Sequence, residues 1–355
     1  MKKVKDSIFG VLIGIIFIIG GIFLIFWNEK NNVKNIKVID ELQKVVIDVK
    51  SDDIQTTNDN KLVNTSGKLV LSGNIVDTSF GVKVGSAILV RTVEMYQWKE
   101  NCSTDDNNKK TCEYSKTWSS NLIDSNKFET KANHINPSHM SYKSETILGK
   151  NIKVGNYSLS DDQLKNLSTD KVYTDYTNLP YGYKKVGEYV TNASNYDEPE
   201  IGNLRIKYTY NDSTDVTVLA MQKGNNLIDY KTEQGTLINE IRSGIKSSSE
   251  MIQIIENNNN LLKWILRGAS LLLEIIGIAA IFGPITSLTS YVPILGSLVG
   301  TATSLVGFLL GTSITLLCTA IAWILYRPLL GIILLAMSLL LFYILMSKGK
   351  KVGGN

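Results

Sequence analysis

Four apolar stretches, one at the N-terminus and three near the C-terminus, flank a polar middle segment of this 355-residue chain. Residues 8–27 carry no charge, and about 20 such residues are what an α-helix needs to cross a bilayer core of about 30 Å. A cleaved signal peptide is the alternative, but its apolar region is typically only about 7–15 residues long. We therefore predict an integral membrane protein that retains residues 8–27 as its first transmembrane helix.

The second apolar stretch, residues 263–283, differs from the first because it contains formal charges. Arg267 lies at its start and Glu274 lies inside it. A charge inside the bilayer costs several kcal/mol on most scales (roughly 3 on insertion scales), so such an acid usually faces protein or water and has a partner. Three interpretations of Glu274 stay open: a buried residue paired in the helix bundle, a residue near the interface, or part of an ion pathway.

The third apolar stretch is too long for one transmembrane helix. Residues 291–326 contain no formal charge, and as a straight helix they would reach about 54 Å. Pro284 and Pro293 remove backbone donors and restrict their neighbours. The sequence therefore predicts, in order, an interfacial or re-entrant segment at 284–302, a third transmembrane helix at 303–326 and a fourth at 328–346.

An even number of crossings places both ends of the chain on one side of the membrane. Lysines concentrate at both ends, namely Lys2, Lys3, Lys5, Lys348, Lys350 and Lys351. Because lysine-rich short segments favour the cytoplasmic side, we predict that residues 1–7 and the basic tail 347–355 are cytosolic. Residues 28–262 would then lie on the non-cytosolic side.

The middle segment, residues 28–234, is predicted to be β-rich. Runs of β-branched and aromatic residues separated by Asn, Asp, Gly and Ser clusters occur at 45–50, 68–77, 86–98, 204–210 and 215–222. The last two runs flank Asn211, Asp212 and Ser213, which predicts a hairpin. Apolar residues then recur at helical spacings, so residues 235–262 are predicted to form an amphipathic helix and linker. The fold class is an α+β membrane protein with four transmembrane helices, one N-terminal and three C-terminal, and a large β-rich non-cytosolic domain.

Several unusual strings are distributed along most of the chain. They include FWNEK (26–30), RTVEMYQWKE (91–100), HINP (134–137), PEIGNLRIKY (199–208), LAMQKGNNLIDY (219–230) and WILYRPLLG (323–331). The most distinctive residues are Glu94, Met95, Tyr96, Gln97, Trp98, Arg327 and Pro328. On these strings the chain is similar to the transmembrane protein 43 family, also called LUMA, and its Asn-, Ile- and Lys-rich composition leads us to expect a microbial member.

The resemblance implies four transmembrane helices, a large non-cytosolic domain between the first and second, and a membrane-organising role without known catalysis. Animal members of the family are found in the endoplasmic reticulum and the inner nuclear membrane, where they associate with emerin and lamins. The expected location of this chain is therefore the cell membrane if its source is bacterial, and those two membranes if it is eukaryotic.

Two cysteines are predicted to form a disulfide. Cys102 and Cys112 flank the polar segment STDDNNKKT in the predicted non-cytosolic domain, a compartment that favours oxidation. Closing this loop would stabilise the fold by about 2–3 kcal/mol in the chain-entropy model. Cys318 lies in the third transmembrane helix and is interpreted as a small buried apolar residue.

The sequence gives no positive signal for catalysis or for a cofactor. The chain has no Gly-rich phosphate-binding loop, no nucleophile elbow and no CxxC motif. Its only histidines, His134 and His139, are five residues apart, which matches no common zinc motif, so a metal site that adds Glu145 or Asp124 is a distant alternative. The net charge is only +4, and basic and acidic residues are mixed through the middle segment. Nucleic-acid binding would require a clustered basic face. We therefore expect no enzyme activity, metal or cofactor.

The predicted function is that of a structural scaffold or membrane organiser acting through its extracytosolic domain. The alternative is a channel or transporter component that uses Glu274 and the broken segment 284–303. Glycines four residues apart in the apolar stretches predict close helix packing, namely Gly10 and Gly14, Gly296 and Gly300, and Gly307 and Gly311. The expected partners are the lipid bilayer and either other membrane proteins or further copies of the chain.

Overall fold

A computed structural model shows two compact units. It describes residues 2–105, 108–289, 293–324 and 328–352, with side chains described within 9–105, 108–282, 305–324 and 328–344. The helical unit consists of Met1–Lys44, Thr232–Thr236 and Ile252–Asn355. The β-rich unit consists of Val45–Lys231 and Leu237–Met251.

Four long helices and one short one account for the α-helical structure of the described residues. They are α1 (Lys2–Val45), α2 (Asp161–Lys165), α3 (Ser248–Thr289), α4 (Pro293–Trp323) and α5 (Pro328–Val352). Within the described residues, three segments are long and apolar enough to cross a membrane, namely Phe9–Val45, Ser248–Phe282 and Leu305–Trp323, and Pro328–Ile344 is a shorter apolar helix. This arrangement confirms the predicted fold class, with apolar helices at both ends of a sheet-rich segment.

Helix α1 is longer than the sequence predicts. The β-rich segment was expected to begin at residue 28, whereas α1 continues to Val45. Val38, Ile39 and Leu42 of this extension are buried, and their helical spacing gives the helix a continuous apolar side. The predicted interfacial segment 284–302 is also helical, because α3 continues to Thr289 and α4 begins at Pro293; residues 290–292 lie outside the described part of the chain.

The strands are short except for a few long ones that organise two sheets. They are β1 (Ile47–Lys50), β2 (Leu62–Val70), β3 (Ile75–Asp77), β4 (Val82–Val84), β5 (Ile88–Thr104), β6 (Lys110–Ser119), β7 (Glu145–Leu148), β8 (Lys153–Val154), β9 (Tyr157–Ser158), β10 (Lys171–Val172), β11 (Lys184–Val186), β12 (Tyr189–Thr191), β13 (Leu204–Tyr210), β14 (Asp215–Lys223), β15 (Asn226–Ile228), β16 (Tyr230–Lys231), β17 (Leu237–Ile238) and β18 (Glu240–Ser243). The run predicted at 68–77 is divided between β2 and β3.

The first sheet has the strand order β1-β2-β8-β9-β15-β14-β18. Strand β2 also pairs with β14 in antiparallel register, with Val218 opposite Thr65, so these pairings close into a ring. Its core contains Val63, Tyr157 and Val218 together with Leu164 of α2. Helix α2 starts at this position because Ser160 and Gln163 form a reciprocal capping box.

The second sheet has the order β11-β12-β13-β5-β6, with β10 on β13 and β7 on β5. Strand β5 is its longest member and pairs with β6 from Met95 opposite Ser119 to Thr104 opposite Lys110. A separate core packs against this sheet and includes Phe80, Leu89, Ile206 and Tyr208.

The predicted amphipathic helix at 235–262 is wrong in its first part. Residues 237–243 form β17 and β18, and α3 begins only at Ser248. Ile241 is fully buried in the core of the first sheet, where β18 pairs with β14. Gly244 adopts a positive φ of 83°, which ends the strand before the helix. The apolar spacing fits both a helix and short strands, and pairing with the distant β14 decides between them.

The predicted hairpin between residues 204–210 and 215–222 is also wrong. Strand β13 belongs to the second sheet and β14 to the first, so the two strands do not pair. Asn211 between them is buried, and its Nδ2 donates to the carbonyl oxygen of Ser168 at 2.8 Å. This bond fixes the segment as a crossing from one sheet to the other instead of a return turn.

Candidate functional site

Helices α1 and α3 of the helical unit run antiparallel and approach closely. A Cβ atom on Gly14 would lie 2.5 Å from the carbonyl oxygen of Gly277, so any side chain there would displace the backbone. Seven residues further along α1 and seven back along α3, the Ser270 hydroxyl donates to the carbonyl oxygen of Gly21 at 2.8 Å. A seven-residue repeat keeps one side of each helix in contact with its partner. We call this contact the α1–α3 seam.

Glu29 is fully buried at the end of the seam, immediately after the first apolar stretch. Arg267 of α3 donates to both of its oxygens, with Nε–Oε1 at 2.6 Å and Nη2–Oε2 at 2.8 Å. The indole Nε1 of Trp323 in α4 donates to Oε2 at 2.6 Å. The carboxamides of Asn28 and Asn32 add weak bonds at 3.4 Å. This Glu29 cluster joins three helices and pairs its two opposite charges, which offsets the cost of removing them from water.

Glu274 is a second fully buried acid of the helical unit. Its Oε2 accepts a bond of 2.6 Å from the hydroxyl of Thr315 in α4, whereas its Oε1 has no partner among the described residues. Gly21 lies against it, because a Cβ there would be 2.8 Å from the Glu274 Cγ. Gly311 of α4 lies on another side, because a Cβ atom there would be 3.5 Å from the Glu274 Cβ. Three helices therefore enclose this carboxyl group.

Helices α4 and α5 are joined by a reciprocal pair of serines. The Ser313 hydroxyl donates to the carbonyl oxygen of Ser338 at 2.9 Å, and the Ser338 hydroxyl donates to the carbonyl oxygen of Ser313 at 2.8 Å. Gly331 of α5 allows this approach, because a Cβ there would lie 2.9 Å from the backbone of Ile324. Small and hydroxylated residues thus provide helix packing where no water-driven association acts.

The glycines predicted to pack helices differ in how closely they approach a neighbouring helix. Gly14 lies in the α1–α3 seam, and Gly10 approaches α3 less closely, at 3.9 Å from the Ala280 carbonyl oxygen. Gly307 and Gly311 of α4 face Ile275 of α3. The side-chain surroundings of Gly296 and Gly300 lie outside the described residues.

In the β-rich unit, Cys102 and Cys112 are opposite each other on β5 and β6 and form a disulfide. Glu100 lies close to both sulfur atoms, and this is the only grouping of three metal-ligating side chains among the described residues. Because both cysteines are consumed by the disulfide, the group offers no thiolate to a metal. Cys318 is a buried free thiol, as expected of an apolar position in α4.

The distinctive string at 94–98 builds the middle of β5 and alternates between its two sides. Met95 and Gln97 are buried, and the Gln97 carboxamide bonds the backbone of Ile123 and Asn121 at 2.8 and 3.0 Å. Glu94, Tyr96 and Trp98 point to the other side, where Glu94 accepts a bond of 2.7 Å from Arg205. These residues therefore have structural roles; Arg327 lies outside the described residues, and Pro328 begins α5.

The two histidines are in different environments. The His134 ring stacks on Tyr114 with centroids 3.8 Å apart and meets the edge of Trp98 at 4.7 Å. Asn136 next to it binds both backbone groups of Trp98, at 2.7 and 2.9 Å. His139 is exposed. The segment thus docks on β5 through ring stacking and backbone bonds, which is a structural arrangement.

Two buried charge pairs were not predicted from the sequence. One is Glu29 with Arg267; its signal in the sequence is an acid just after the first apolar stretch and a base within the second. The other is in the β-rich unit, where Arg91 forms ion pairs with Asp77 and, at 2.7 Å, with Glu145. Burial raises the pKa of Asp77, but hydrogen bonds from Tyr208 and Ser79 and the charge of Arg91 outweigh it and lower that pKa below its ordinary value.

These features define a multi-pass integral membrane protein whose sheet-rich segment lies between its first and second membrane helices. The chain belongs to the transmembrane protein 43 family, whose family model matches residues 95–328. It is 28% identical to transmembrane protein 43 of Rattus norvegicus, over 93% of this chain and 87% of the rat protein. It is 27% identical to the Homo sapiens protein, over 96% of this chain and 90% of the human protein. It is 25% identical to the Drosophila melanogaster homolog, over 93% of this chain and 91% of that protein. No solved structure matches the chain.

Proposed function

We propose that this protein is a structural membrane scaffold, in which the helical unit anchors an extracytosolic β-rich domain that organises partners or lipids. The observation that carries this proposal is the pairing of Glu29 with Arg267 across α1 and α3. A carboxylate held by a bidentate arginine and an indole N–H has its lone pairs occupied. Such a group is suited to fixing helices together and poorly suited to relaying ions.

Other polar groups in the helices have the same role. Ser270 bonds the α1 backbone, and Ser313 and Ser338 bond each other's carbonyl oxygens. Each of these bonds joins two different helices, so breaking one would leave a buried polar group without a partner in lipid. This pattern supports a permanent bundle rather than a path that opens.

The β-rich unit supports the same proposal because it is a compact unit with its own cores. It has a core on each of two sheets and a disulfide across its longest hairpin. His134 and the string at 94–98 are used for packing, which favours a binding platform over an enzyme. We infer that partners are other membrane proteins or further copies of the chain.

A channel or transporter is the second candidate, and one observation favours it. The Oε1 atom of Glu274 is buried without a hydrogen-bond partner among the described residues. Buried unsatisfied groups are uncommon and can mark a site that binds an ion or a proton. The scaffold proposal instead treats Glu274 as a structural acid that Thr315 ties to α4.

Reconstitution into liposomes separates the two functions. The scaffold proposal expects no proton or cation flux above that of empty liposomes from the wild-type protein. Glu274→Gln should likewise fold and show none. A matched control is Glu250→Gln, which removes an exposed acid at the start of α3, before the apolar stretch 263–283. Flux that is present in the wild type and in Glu250→Gln but absent in Glu274→Gln would overturn the scaffold proposal in favour of the channel.

Proximity labelling in the native cell tests the role in organising partners. A labelling enzyme inserted at Tyr181, which is fully exposed, would report on neighbours of the β-rich unit. The same enzyme fused after residue 355 would report on the predicted cytosolic side. Specific membrane-protein neighbours at the first position and not at the second support the proposal, and an identical random background at both positions contradicts it.

A further inference from the structure

A polar cavity of about 390 Å³ lies in the helical unit, between α1, α3 and Trp323 of α4. Trp323 also belongs to the Glu29 cluster, so the cavity begins where that cluster ends. Cavities of this size accommodate small organic ligands, and they are too large for a bare metal ion. Nothing in the scaffold role requires such a space.

The α1–α3 seam places the residues that line the cavity. Its register continues beyond the glycines, because the Asn28 carboxamide donates to the carbonyl oxygen of Lys263 at 3.3 Å. Beyond Asn28 on α1 and before Lys263 on α3, the facing residues are no longer glycines but asparagines and acids. Asn32 and Asn35 come from α1, and Glu256 and Asn259 come from α3. Replacement of small residues by longer polar ones opens the seam into a polar space.

The charges on the cavity wall favour a ligand that carries a cation. Asp40 and Glu256 line it with one cation, Lys263, so the wall is formally negative by one charge. The adjacent pair of Glu29 and Arg267 is neutral and leaves this balance unchanged. Asn32 is more than nine-tenths buried, and its Nδ2 donates to the Glu29 Oε2 at 3.4 Å. This bond connects the cavity wall to the Glu29 cluster.

The cavity is at the level where lipid head groups lie. Asn32 is five residues beyond Trp27, which is the end of the first apolar stretch, and five helical residues span about 7.5 Å. Trp27 of α1 and Trp264 of α3 are both exposed, at 47% and 64%. Exposed tryptophans at the ends of membrane helices mark the boundary between acyl chains and head groups.

We propose that this cavity binds the head group of an aminophospholipid, a phosphoethanolamine group with a primary ammonium. The ammonium donates to the Asp40 and Glu256 carboxylates. The phosphate accepts from the carboxamide of Asn259 and is balanced by Lys263, whose Nζ is also 2.7 Å from the Asn260 Oδ1. A choline head group fits less well, because its methylated nitrogen has no N–H to donate. This proposal is independent of the scaffold role.

The test is a titration of the full-length protein in micelles, read by native mass spectrometry. The probes are dioleoyl phosphatidylethanolamine, the matching phosphatidylcholine, the matching phosphatidylglycerol and free phosphoethanolamine. We expect the ethanolamine lipid to bind about tenfold more tightly than the choline or glycerol lipid, the factor that a single charge-assisted hydrogen bond supplies. Equal binding of the three lipids would overturn the proposal. Equal binding of the ethanolamine lipid and free phosphoethanolamine would overturn the assignment to a lipid.

Two pairs of variants connect the preference to the cavity. Glu256→Gln should reduce the preference for the ethanolamine lipid about tenfold, whereas Glu250→Gln should leave it unchanged. Asn259→Phe fills the cavity and should abolish specific binding, whereas Asn258→Phe places the same ring at an exposed neighbouring position. Circular dichroism checks that each variant is folded. If Asn259→Phe is misfolded, Glu256→Gln alone decides: an unchanged lipid preference in that variant overturns the proposal.

Discussion

Glu29 of α1 and Arg267 of α3 are 238 residues apart in sequence and form a bidentate ion pair, with both nitrogen–oxygen distances under 3 Å. Glu29 is fully buried and the Arg267 side chain is only 18% exposed. A buried pair of this kind restricts how two helices can dock, because only one register brings both charges together. The pair therefore specifies the α1–α3 seam as well as stabilising it.

Loss of one member of this pair should be more damaging than loss of both. We expect Glu29→Gln or Arg267→Met to lower the free energy of unfolding by about 3–5 kcal/mol, because each leaves an uncompensated buried charge. The double variant should recover part of that loss. Thermal unfolding in micelles measures it, with the exposed Lys30→Gln as the control. Additive losses in the double variant would show that the two side chains do not interact.

The glycines of α1 provide a matched test of the α1–α3 seam. Gly14→Ala should destabilise the bundle by about 1–3 kcal/mol, because the new methyl group meets the Gly277 carbonyl oxygen. Gly20→Ala adds the same methyl group where nothing lies within 4 Å, so its stability should match the wild type. Unfolding temperatures in micelles compare the two variants. Equal effects at the two positions would contradict the close approach.

The ion pair between Asp77 and Arg91 should make the β-rich unit sensitive to acid. The pKa of Asp77 is lowered in the folded protein, so its contribution to stability is complete above the unfolded value of about 3.9. That contribution is lost as the pH falls through the lower folded pKa. Asp77→Asn should cost about 3 kcal/mol at pH 7, and its difference from the wild type should shrink below about pH 4.

Tryptophan fluorescence during unfolding between pH 3 and 8 measures this dependence on Asp77. The exposed Asp170→Asn is the control, and we expect it to follow the wild type at every pH. A difference between Asp77→Asn and the wild type that stays constant over the whole range would show that the carboxylate charge contributes nothing.

The disulfide between Cys102 and Cys112 should stabilise the β5–β6 hairpin without being needed to form it. Ten residue pairs join the two strands, so the variant with both cysteines changed to serine should keep the sheet. It should lose about 2–3 kcal/mol of stability, the entropic value for a loop of this length. Mass spectrometry after alkylation without reductant should find only Cys318 modified, and only after unfolding. Alkylation of Cys102 in freshly isolated protein would contradict the prediction.

Topology can be tested with single thiol probes in a Cys318→Ala background that keeps the disulfide. We expect Ser194→Cys, on the exposed surface of the β-rich unit, to react with an impermeant thiol reagent from the non-cytosolic side. Ser347→Cys in the basic tail should react only after the membrane is permeabilised. The reverse pattern would place residues 28–262 in the cytosol.

Local composition was sufficient to determine the class of this protein. The apolar stretches, the β-rich middle, the disulfide partners and each string of the family resemblance consist of residues close together in sequence. The hydrophobic requirement of a membrane helix is such a local property, since each helix must satisfy it alone. The helical character of residues 8–27 was therefore predictable without any knowledge of their neighbours.

Only the tertiary structure decided how these elements meet. Residues 237–243 have apolar spacing that fits a helix, and they form strands because β14 supplies hydrogen-bond partners. Strands β13 and β14 are adjacent in sequence but join different sheets, because Asn211 is held by Ser168. Glu29 finds Arg267 only when α1 and α3 dock in one register. Each of these outcomes depends on contacts between residues far apart in the chain, and periodicity along the sequence carries no information about such contacts.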